Sequence, residues 1–438
     1  MFAIAYPGDS VSMARSAFVG FVLLSLNSAA FGQQPGRTPA NASPPWAQLA
    51  KLSSSYFLAY HNGTAVAISG NVVAVGAPYG QIVSVYVMPS SGWGNMTETA
   101  TLKASDSSPY DLFGNSVAIY GNTIVVGDPY ARPNQSGGVY VFVEPAGGWK
   151  GTLTETAKLS TTEAARGGTV GWSVSISGST IVAGAPYILN EVGEAFVYTQ
   201  PTGGWTNANE TAKLSPSDGQ ANEQFGISVS ASGNAVVVGS PYEAIGANQD
   251  QGGAYVYIEP ASGWRNATQS AKLTASDGQQ YDEFATSVSM SGQTIAAGAL
   301  GVNQTQGAAY VFVEPSGGWA NMTQTAKLTA TGLTAGQELG ASVAIQNNYV
   351  VAGAPFFSHS TILFGGPFGG EGATYIFVEP TGGWTNESQS ALLTGFDARF
   401  GSGFGTAVAI SGNTVVSTTS SNNINIGAGY VFRPYTPQ

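Results

Sequence analysis

Three kinds of side chain recur along the chain in patterns that could support chemistry. Glutamates end apolar segments in V/I-E-P sequences, and two carboxylates placed close together are the machinery of glycoside hydrolysis. Acidic residues spaced five apart could supply oxygen ligands to a cation. Aromatic residues that follow Gly-x-Pro could lie flat against a sugar or a peptide. The chemistry available to each pattern depends on the elements that hold it and on the distances between them.

Composition excludes several other kinds of site. The chain has 438 residues, no cysteine and two histidines, His61 and His359. A thiolate nucleophile, an iron–sulfur cluster, a cysteine zinc site and a histidine-rich metal centre are therefore excluded. The net charge is −11, with 14 Lys and Arg against 25 Asp and Glu, whereas phosphate binding needs clustered cations. Nucleic acid is not expected as a partner.

Residues 1–32 predict a signal peptide. An apolar run at 17–26 follows Arg15 and precedes a stretch of small residues, which is the pattern of a cleaved export signal. The run is shorter than the roughly 20 residues that a membrane-spanning helix needs. We expect a short linker at 33–45, no membrane span, and a mature chain that is secreted, extracellular or periplasmic. The start codon, Met1 or Met13, is left open.

An internal repeat determines the expected architecture. Segments such as SVAIYGNTIVVG at 116–127 place two β-branched strands around a glycine turn, which predicts a hairpin. A third apolar segment follows, such as GGVYVFVEP at 137–145, and a fourth resembles TETAKL at 154–159. A tryptophan precedes or begins each fourth segment and is expected to pack between repeats. The seven tryptophans are Trp46, Trp93, Trp149, Trp205, Trp264, Trp319 and Trp384.

Seven units of four antiparallel strands predict an all-β fold, a seven-bladed β-propeller over residues 46–438. The segment at 46–52 resembles a fourth strand that has no preceding three. The last unit, from 404 to 432, has three strands and lacks a fourth. The N-terminal strand is therefore expected to close the last blade.

The repeated text resembles the FG-GAP repeats of the integrin α-subunit propeller and its bacterial secreted relatives. Phe-Gly occurs at 113–114, 225–226 and 404–405, and Gly-Ala-Pro occurs at 76–78, 184–186 and 353–355. The resemblance covers about residues 46–433. It implies that the second-to-third strand loops and the linkers between blades share one face, where propellers usually bind ligands.

Calcium is not carried over from the family. Calcium-binding repeats of this kind have an Asp/Asn-rich loop between the first two strands, because Ca²⁺ needs six to eight oxygen ligands. Here that connection reads as a tight turn without a carboxylate in all seven units, for example Ser69-Gly70-Asn71 and Gln346-Asn347-Asn348. We therefore expect no metal and no cofactor.

The recurrent acids are expected to be structural. Where acids stand five apart, we expect one to form an Asx-type turn and the second to be solvated. These pairs are Asp106 with Asp111, Asp218 with Glu223 and Asp277 with Asp282. The glutamates at 144, 259, 314 and 379 lie whole blades apart, too far for a catalytic pair, and no G-x-S-x-G sequence is present. The chain is not expected to be an enzyme.

Aromatic residues provide the candidate ligand-binding site. They follow Gly-x-Pro in five units, as Tyr79, Tyr130, Tyr187, Tyr242 and Phe356. An insertion at 356–372 adds Phe357, His359 and Phe364, and apolar insertions in repeat proteins often carry specific contacts. The competing interpretations are that the rings pack over neighbouring blades, and that the insertion covers the channel mouth or offers an apolar patch to a partner.

Two functions follow from these expectations. The first is a secreted, non-catalytic binding or adhesion propeller, a monomer that recognises an extracellular glycan or protein through its loop face. The alternative is a secreted lyase or hydrolase that acts on polysaccharide. Nine Asn-x-Ser/Thr sequences would be glycosylation acceptors in a eukaryote, and the sequence leaves their use open.

Overall fold

A computed structural model describes residues 45–56, 62–108, 110–132, 135–163, 167–357, 370–420 and 427–435. They form seven antiparallel blades of four strands each, which confirms the predicted seven-bladed propeller. Blade 1 contains Ala65–Ser69, Val72–Ala77, Ile82–Val87 and Ala100–Lys103, blade 2 contains Ser116–Tyr120, Thr123–Asp128, Gly138–Val143 and Ala157–Ser160, and blade 3 contains Ser173–Ser177, Thr180–Ala185, Glu194–Thr199 and Ala212–Leu214. Blade 4 contains Ser228–Ser232, Ala235–Ser240, Gly253–Ile258 and Ala271–Thr274, blade 5 contains Phe284–Ser291, Thr294–Ala299, Ala308–Val313 and Ala326–Thr329, and blade 6 contains Ser342–Gln346, Tyr349–Ala354, Ala373–Val378 and Ala391–Leu393.

Blade 7 is assembled from both ends of the described chain. Its first three strands are Val408–Ser411, Thr414–Thr419 and Ala428–Pro434, and its fourth is Trp46–Ser53. The fourth strand pairs antiparallel with the third, from Trp46 opposite Pro434 to Leu52 opposite Gly429. The predicted closure by the N-terminal strand is confirmed.

Five blades carry a short fifth strand that comes from the next repeat and runs parallel to the fourth. These strands are Met96–Thr97 on blade 7, Gly151–Thr154 on blade 1, Ala208–Asn209 on blade 2, Met322–Thr323 on blade 4 and Glu387–Ser388 on blade 5. Helical structure among the described residues is confined to the 3₁₀ turn Pro78–Gly80 and the single turn Val302–Thr305.

The first strands form the inner ring of the propeller. Each lies against the first strand of the next blade, and the first strand of blade 7 lies against that of blade 1. In all seven blades a two-residue turn joins the first and second strands, as between Ser177 and Thr180. Gly178 begins that turn at φ +58°, and Asn347 holds the same place in blade 6 at φ +54°. The predicted tight turns are therefore confirmed.

The apolar core lies between blades. Leu159 at the outer side of blade 2 belongs to the same buried cluster as Ile181 and Phe196 of blade 3. Trp205 completes that cluster at 5% exposure, and Trp149 occupies the equivalent place between blades 1 and 2. The repeated tryptophans therefore pack between blades, as their spacing indicates.

Paired glycines set the distance between neighbouring blades. Gly184, near the end of the second strand of blade 3, lies against the carbonyl oxygen of Gly226, at the start of blade 4. A β-carbon on Gly184 would be closer than 3.0 Å to that oxygen. Gly226 has φ +97°, a conformation that glycine adopts without strain. The same approach recurs at Gly76, Gly127, Gly298 and Gly353, and Gly239 approaches the carbonyl oxygen of Ala285, which stands at the second glycine position.

A hydroxyl group completes each of these glycine contacts from blade 2 to blade 6. Ser173 begins the first strand of blade 3 and donates a 2.9 Å hydrogen bond to the Gly226 carbonyl of blade 4. The serines of the other interfaces are Ser116, Ser228, Ser287 and Ser342. The Ser-Val sequence that begins most first strands therefore connects blades.

The interface between blades 7 and 1 has an equivalent hydrogen bond with a different donor residue. Ala407 stands at the serine position and Thr418 at the glycine position of blade 7. Thr418 Oγ1 donates to the Gly63 carbonyl at 2.6 Å. The hydroxyl has moved from the first strand to the second, and the ring is closed by an equivalent bond.

Side chains at the rim provide a second connection between blades. Asn266, two residues after Trp264, accepts the backbone N–H of Lys213 in the preceding blade at 2.9 Å. Gln269 then bonds to both the backbone N–H and the hydroxyl of Ser217. The equivalent asparagines are Asn95, Asn207, Asn321 and Asn386. The recurrence of asparagine at this position therefore has a structural cause.

Candidate ligand-binding face

Two kinds of connection between strands lie on one face of the propeller, which we call the loop face. It consists of the linkers that lead into each first strand and the loops that join second and third strands. The two are hydrogen-bonded to each other, as where Gln224 of the linker into blade 4 donates its backbone N–H to Glu191 of the blade 3 loop. Each second strand runs antiparallel to the first strand of its blade. The end of the second strand, where the loop begins, therefore lies beside the start of the first strand, where the linker ends.

The five aromatic residues predicted after Gly-x-Pro all lie in loops of this face. Tyr79 is 52% exposed, whereas Tyr130, Tyr187, Tyr242 and Phe356 are half-buried. Each of these residues is therefore partly covered by the propeller and partly exposed. The ligand and the packing interpretations both stay predictions.

The insertion in blade 6 is described only at its ends. Phe357 is 7% exposed and packs edge-on against Tyr375, with ring centroids 6.1 Å apart. It therefore belongs to the core of blade 6 rather than to the exposed surface. His359 and Phe364 lie outside the described residues.

Exposed aromatic residues in the linkers were missed by the sequence reasoning. Tyr110 is 76% exposed, Tyr281 55%, Phe396 69% and Phe400 62%. The linker residues Tyr110, Asn222 and Tyr281 share one repeat position and have φ between +68° and +74°. The available signal was an aromatic residue directly before the second acid of a pair, as in Tyr110-Asp111 and Tyr281-Asp282, but linker sequences vary too much for the repeat to reveal it.

The inner part of the loop face combines aromatic and acidic groups. Trp172, the eighth tryptophan, meets Tyr187 edge-on with ring centroids 5.1 Å apart. Tyr242 is an electrostatic neighbour of Tyr187, Glu283 and Asp250, and burial followed by these charges raises its pKa to about 12. Trp172 was also missed, because it stands outside the repeated tryptophan position.

The first acid of each predicted pair forms an ion pair rather than a free carboxylate. Lys327 of blade 5 contacts Asp277 at 2.6 Å, and Lys158 of blade 2 contacts Asp106, which also accepts the Tyr140 hydroxyl. Burial alone would raise the pKa of Asp106, but the hydrogen bonds from Lys158 and Tyr140 lower it below its usual value. Each linker is thereby attached to the third and fourth strands of the blade that it enters.

The expectation that the second acid is solvated is wrong. Asp111, Glu223 and Asp282 are 4%, 7% and 5% exposed. Each accepts a backbone N–H from three residues earlier, such as that of Gln279 to Asp282 at 2.8 Å. The turn is therefore made by the second acid, which faces inward because the linker folds down onto its blade.

The V/I-E-P glutamates do not contribute to the loop face. Each lies at the end of a third strand, and its backbone N–H bonds to a turn between the first and second strands, as Glu144 does to Asn122. They therefore lie one to a blade on the opposite face, as expected. In the part of the chain that the structure describes, no group of three or more acids or histidines could hold a metal ion. Within the same residues, no helix is long and apolar enough to cross the membrane.

Buried carboxyls make stability depend on pH. Burial raises the pKa of Asp128, Glu283 and Glu338 to about 7, against roughly 4 in an unfolded chain. The folded state therefore binds protons at these carboxyls more tightly than the unfolded chain does. The stability gained from this difference is present below about pH 4 and is lost as pH rises through about 7. We expect the free energy of unfolding to be lower at pH 8 than at pH 5, with Asp128 contributing on the order of 2–4 kcal/mol.

Urea unfolding of wild type and Asp128→Asn across this range measures the effect. The variant should lose part of the decline, because an amide does not ionise and keeps an oxygen to accept the Leu112 N–H. Glu144→Gln, on the opposite face, is the control and should follow wild type. A stability that rises between pH 5 and pH 8 would contradict the assignment.

The architecture and its glycine contacts define a class of protein, a seven-bladed β-propeller built from glycine-paired repeats. Its sequence matches the FG-GAP repeat family at 96–142, 153–198, 208–257, 267–312 and 322–377, which together make up more than half of the chain. The chain therefore belongs to the FG-GAP repeat family. Each matched segment begins in the outer strands of one blade and ends in the third strand of the next. No curated protein matches the chain.

Proposed function

We propose that this chain is an exported, non-catalytic binding propeller that recognises an extracellular glycan or protein through its loop face. The observation that carries the proposal is the position of the exposed apolar side chains. Of ten large hydrophobic side chains exposed among the described residues, six belong to the loop face. They are Tyr79, Tyr110, Leu189, Tyr281, Phe396 and Phe400.

The chemistry of this surface suits recognition rather than catalysis. Tyrosine offers a flat apolar ring and a hydroxyl, which together match sugar rings or an extended peptide. Exposed apolar groups gathered on one side of a soluble scaffold are typical of interaction sites. The tight turns argue for binding without calcium, and the apolar run at 17–26 argues for export.

The proposal is tested by binding of the purified mature chain to arrays of glycans and matrix proteins, with and without EDTA. The informative variant is Tyr110→Asn with Tyr281→Asn. Asn222 holds the same position in blade 4, so asparagine keeps the positive-φ backbone. We expect binding that survives EDTA and is about tenfold or more weaker in the double variant, because exposed aromatic anchors carry much of the energy of such contacts.

Tyr120→Ser is the matched control. Tyr120 is 53% exposed at the turn on the opposite face, where Ser177 and Ser232 stand in blades 3 and 4. This variant should bind like wild type. Equal losses in both variants, or no binding to any arrayed molecule, would contradict the proposal. Release of reducing ends or unsaturated sugars from a polysaccharide would favour the lyase or hydrolase instead.

A further inference from the structure

Blade 4 holds a lysine amine between two carboxyl groups. Lys272 Nζ lies 2.6 Å from Asp218 Oδ2 and also contacts Glu243 Oε1. Asp218 accepts the Tyr255 hydroxyl at 2.9 Å, and Lys272 Nζ lies 5.2 Å from the centre of the Tyr255 ring. The side chains of Lys272 and Glu243 are 19% and 3% exposed. The amine is therefore fixed beside one carboxyl and against a second that is almost fully buried.

Blade 5 contains the same pair without the buried acid. Its linker repeats the Ser-Asp-Gly-Gln sequence, and Lys327 contacts Asp277 at 2.6 Å over the Tyr310 ring. Val302 stands where blade 4 has Glu243, three residues after the second strand. Blade 3 places Lys213 against Glu163 and Glu194 but has Phe196 in place of the tyrosine. Among the described residues, only blade 4 combines a Lys–Asp–Tyr group with a buried acid in contact with the lysine.

We propose that Lys272 and Asp218 condense to an isopeptide bond, with Glu243 relaying the proton. The Lys272 nitrogen attacks Cγ of Asp218, a C–N bond forms, and a C–O bond of the carboxyl breaks. Glu243 takes one proton from the Lys272 ammonium before the attack and a second from the nitrogen after it, and passes both to the departing oxygen, which leaves as water. The ammonium and carboxylate together become one neutral amide and one water molecule. No oxidant or other reactant is needed.

Proximity and burial both favour this reaction. Two groups held in a reactive geometry react as fast as if one of them were present in solution at about 10⁵ M or more. Burial raises the pKa of Glu243 to about 7, so near neutral pH this carboxyl can both take up and release a proton, as a relay requires. The bond would join residues 54 apart in sequence and tie the linker into blade 4 to its outer strand. It would constrain the unfolded chain as a disulfide does, in a protein without cysteine.

Mass spectrometry of the denatured mature chain tests the proposal directly. The expected result is a mass lower than that of the sequence by one water. A tryptic digest should lack cleavage after Lys272, because an amidated lysine is not a trypsin site, and should yield a branched peptide that joins Asp218 to Lys272. A full mass with ordinary cleavage after Lys272 would overturn the proposal and leave the three groups as an ion pair.

Controls separate the bond from other losses of water. Asp218 precedes Gly219, and an Asp-Gly sequence can also lose water by forming a succinimide, as can Asp277-Gly278 of blade 5. Lys272→Arg keeps the charge but should restore the full mass, whereas a loss of water that persists in this variant identifies a succinimide and overturns the proposal. Glu243→Gln should also restore the full mass, and a bond formed normally in its presence would overturn the relay role. Lys327 is the internal control and should be cleaved.

Discussion

Replacement of Gly184 by alanine is expected to destabilise the propeller by about 4 kcal/mol or more, among the largest effects of a single substitution. The new methyl group would meet the Gly226 carbonyl oxygen and the Ser173 hydroxyl. Neither can withdraw, because the carbonyl belongs to the backbone of blade 4 and the hydroxyl is hydrogen-bonded to it. The two blades must separate, and the buried cluster between them loses its close packing.

Thermal and urea unfolding of Gly184→Ala measure this effect. Gly147→Ala is the matched control, because a β-carbon there has no neighbour within 4 Å. The control should stay within about 0.5 kcal/mol of wild type, as surface substitutions usually do. If both variants unfolded alike, close approach of the paired glycines would not be what limits the blade spacing.

Removal of the N-terminal strand is expected to have the second large effect. Deletion of residues 33–53 leaves blade 7 with three strands and exposes the edge of Ala428–Pro434. It also removes Ala50 and Leu52, which are 1% and 0% exposed in the cluster that joins blade 7 to blade 1. Loss of a buried leucine side chain alone costs about 2–5 kcal/mol. We expect an unstable protein that associates through the open edge.

The matched deletion removes residues 33–45 and keeps the whole strand. It should unfold at the same temperature as the mature chain and elute close to it in size-exclusion chromatography. The longer deletion should lower the melting temperature by roughly 10 °C or more, or prevent folding. An unchanged melting temperature for the longer deletion would contradict the closure of blade 7.

The fold was predictable because its signals are local and repeated seven times. A glycine turn between β-branched strands identifies a hairpin without reference to the rest of the chain, and repetition fixes the architecture. The inward position of Asp282 was not predictable, since it depends on how a linker folds over its blade. The same holds for the exposure of Tyr110 and for the contact between Trp172 and Tyr187, which depend on how linkers and loops fold at the blade ends.

The structural role of the repeated motif also could not be predicted from the sequence and follows from contacts between blades. Phe-Gly and the Gly-x-Pro sequence that follows it belong to one repeat, as Gly114 and Gly127 do, yet the glycines that touch belong to different blades. Sequence alone shows that both glycines recur. The structure shows that the glycine near the end of a second strand leaves room for a backbone carbonyl at the start of the next blade.

The three forms of the blade junction suggest an order of evolutionary change. Blades 2 to 6 pair a serine on the first strand with a glycine on the second, blade 1 has Ala65 with Gly76, and blade 7 has Ala407 with Thr418. A direct exchange of donor between strands would need two simultaneous mutations. Blade 1 shows that a junction without the donor is tolerated, so loss of the serine could come first and gain of the threonine later. A junction can therefore exchange its hydrogen-bond donor in two single substitutions, and the blades stay joined after each of them.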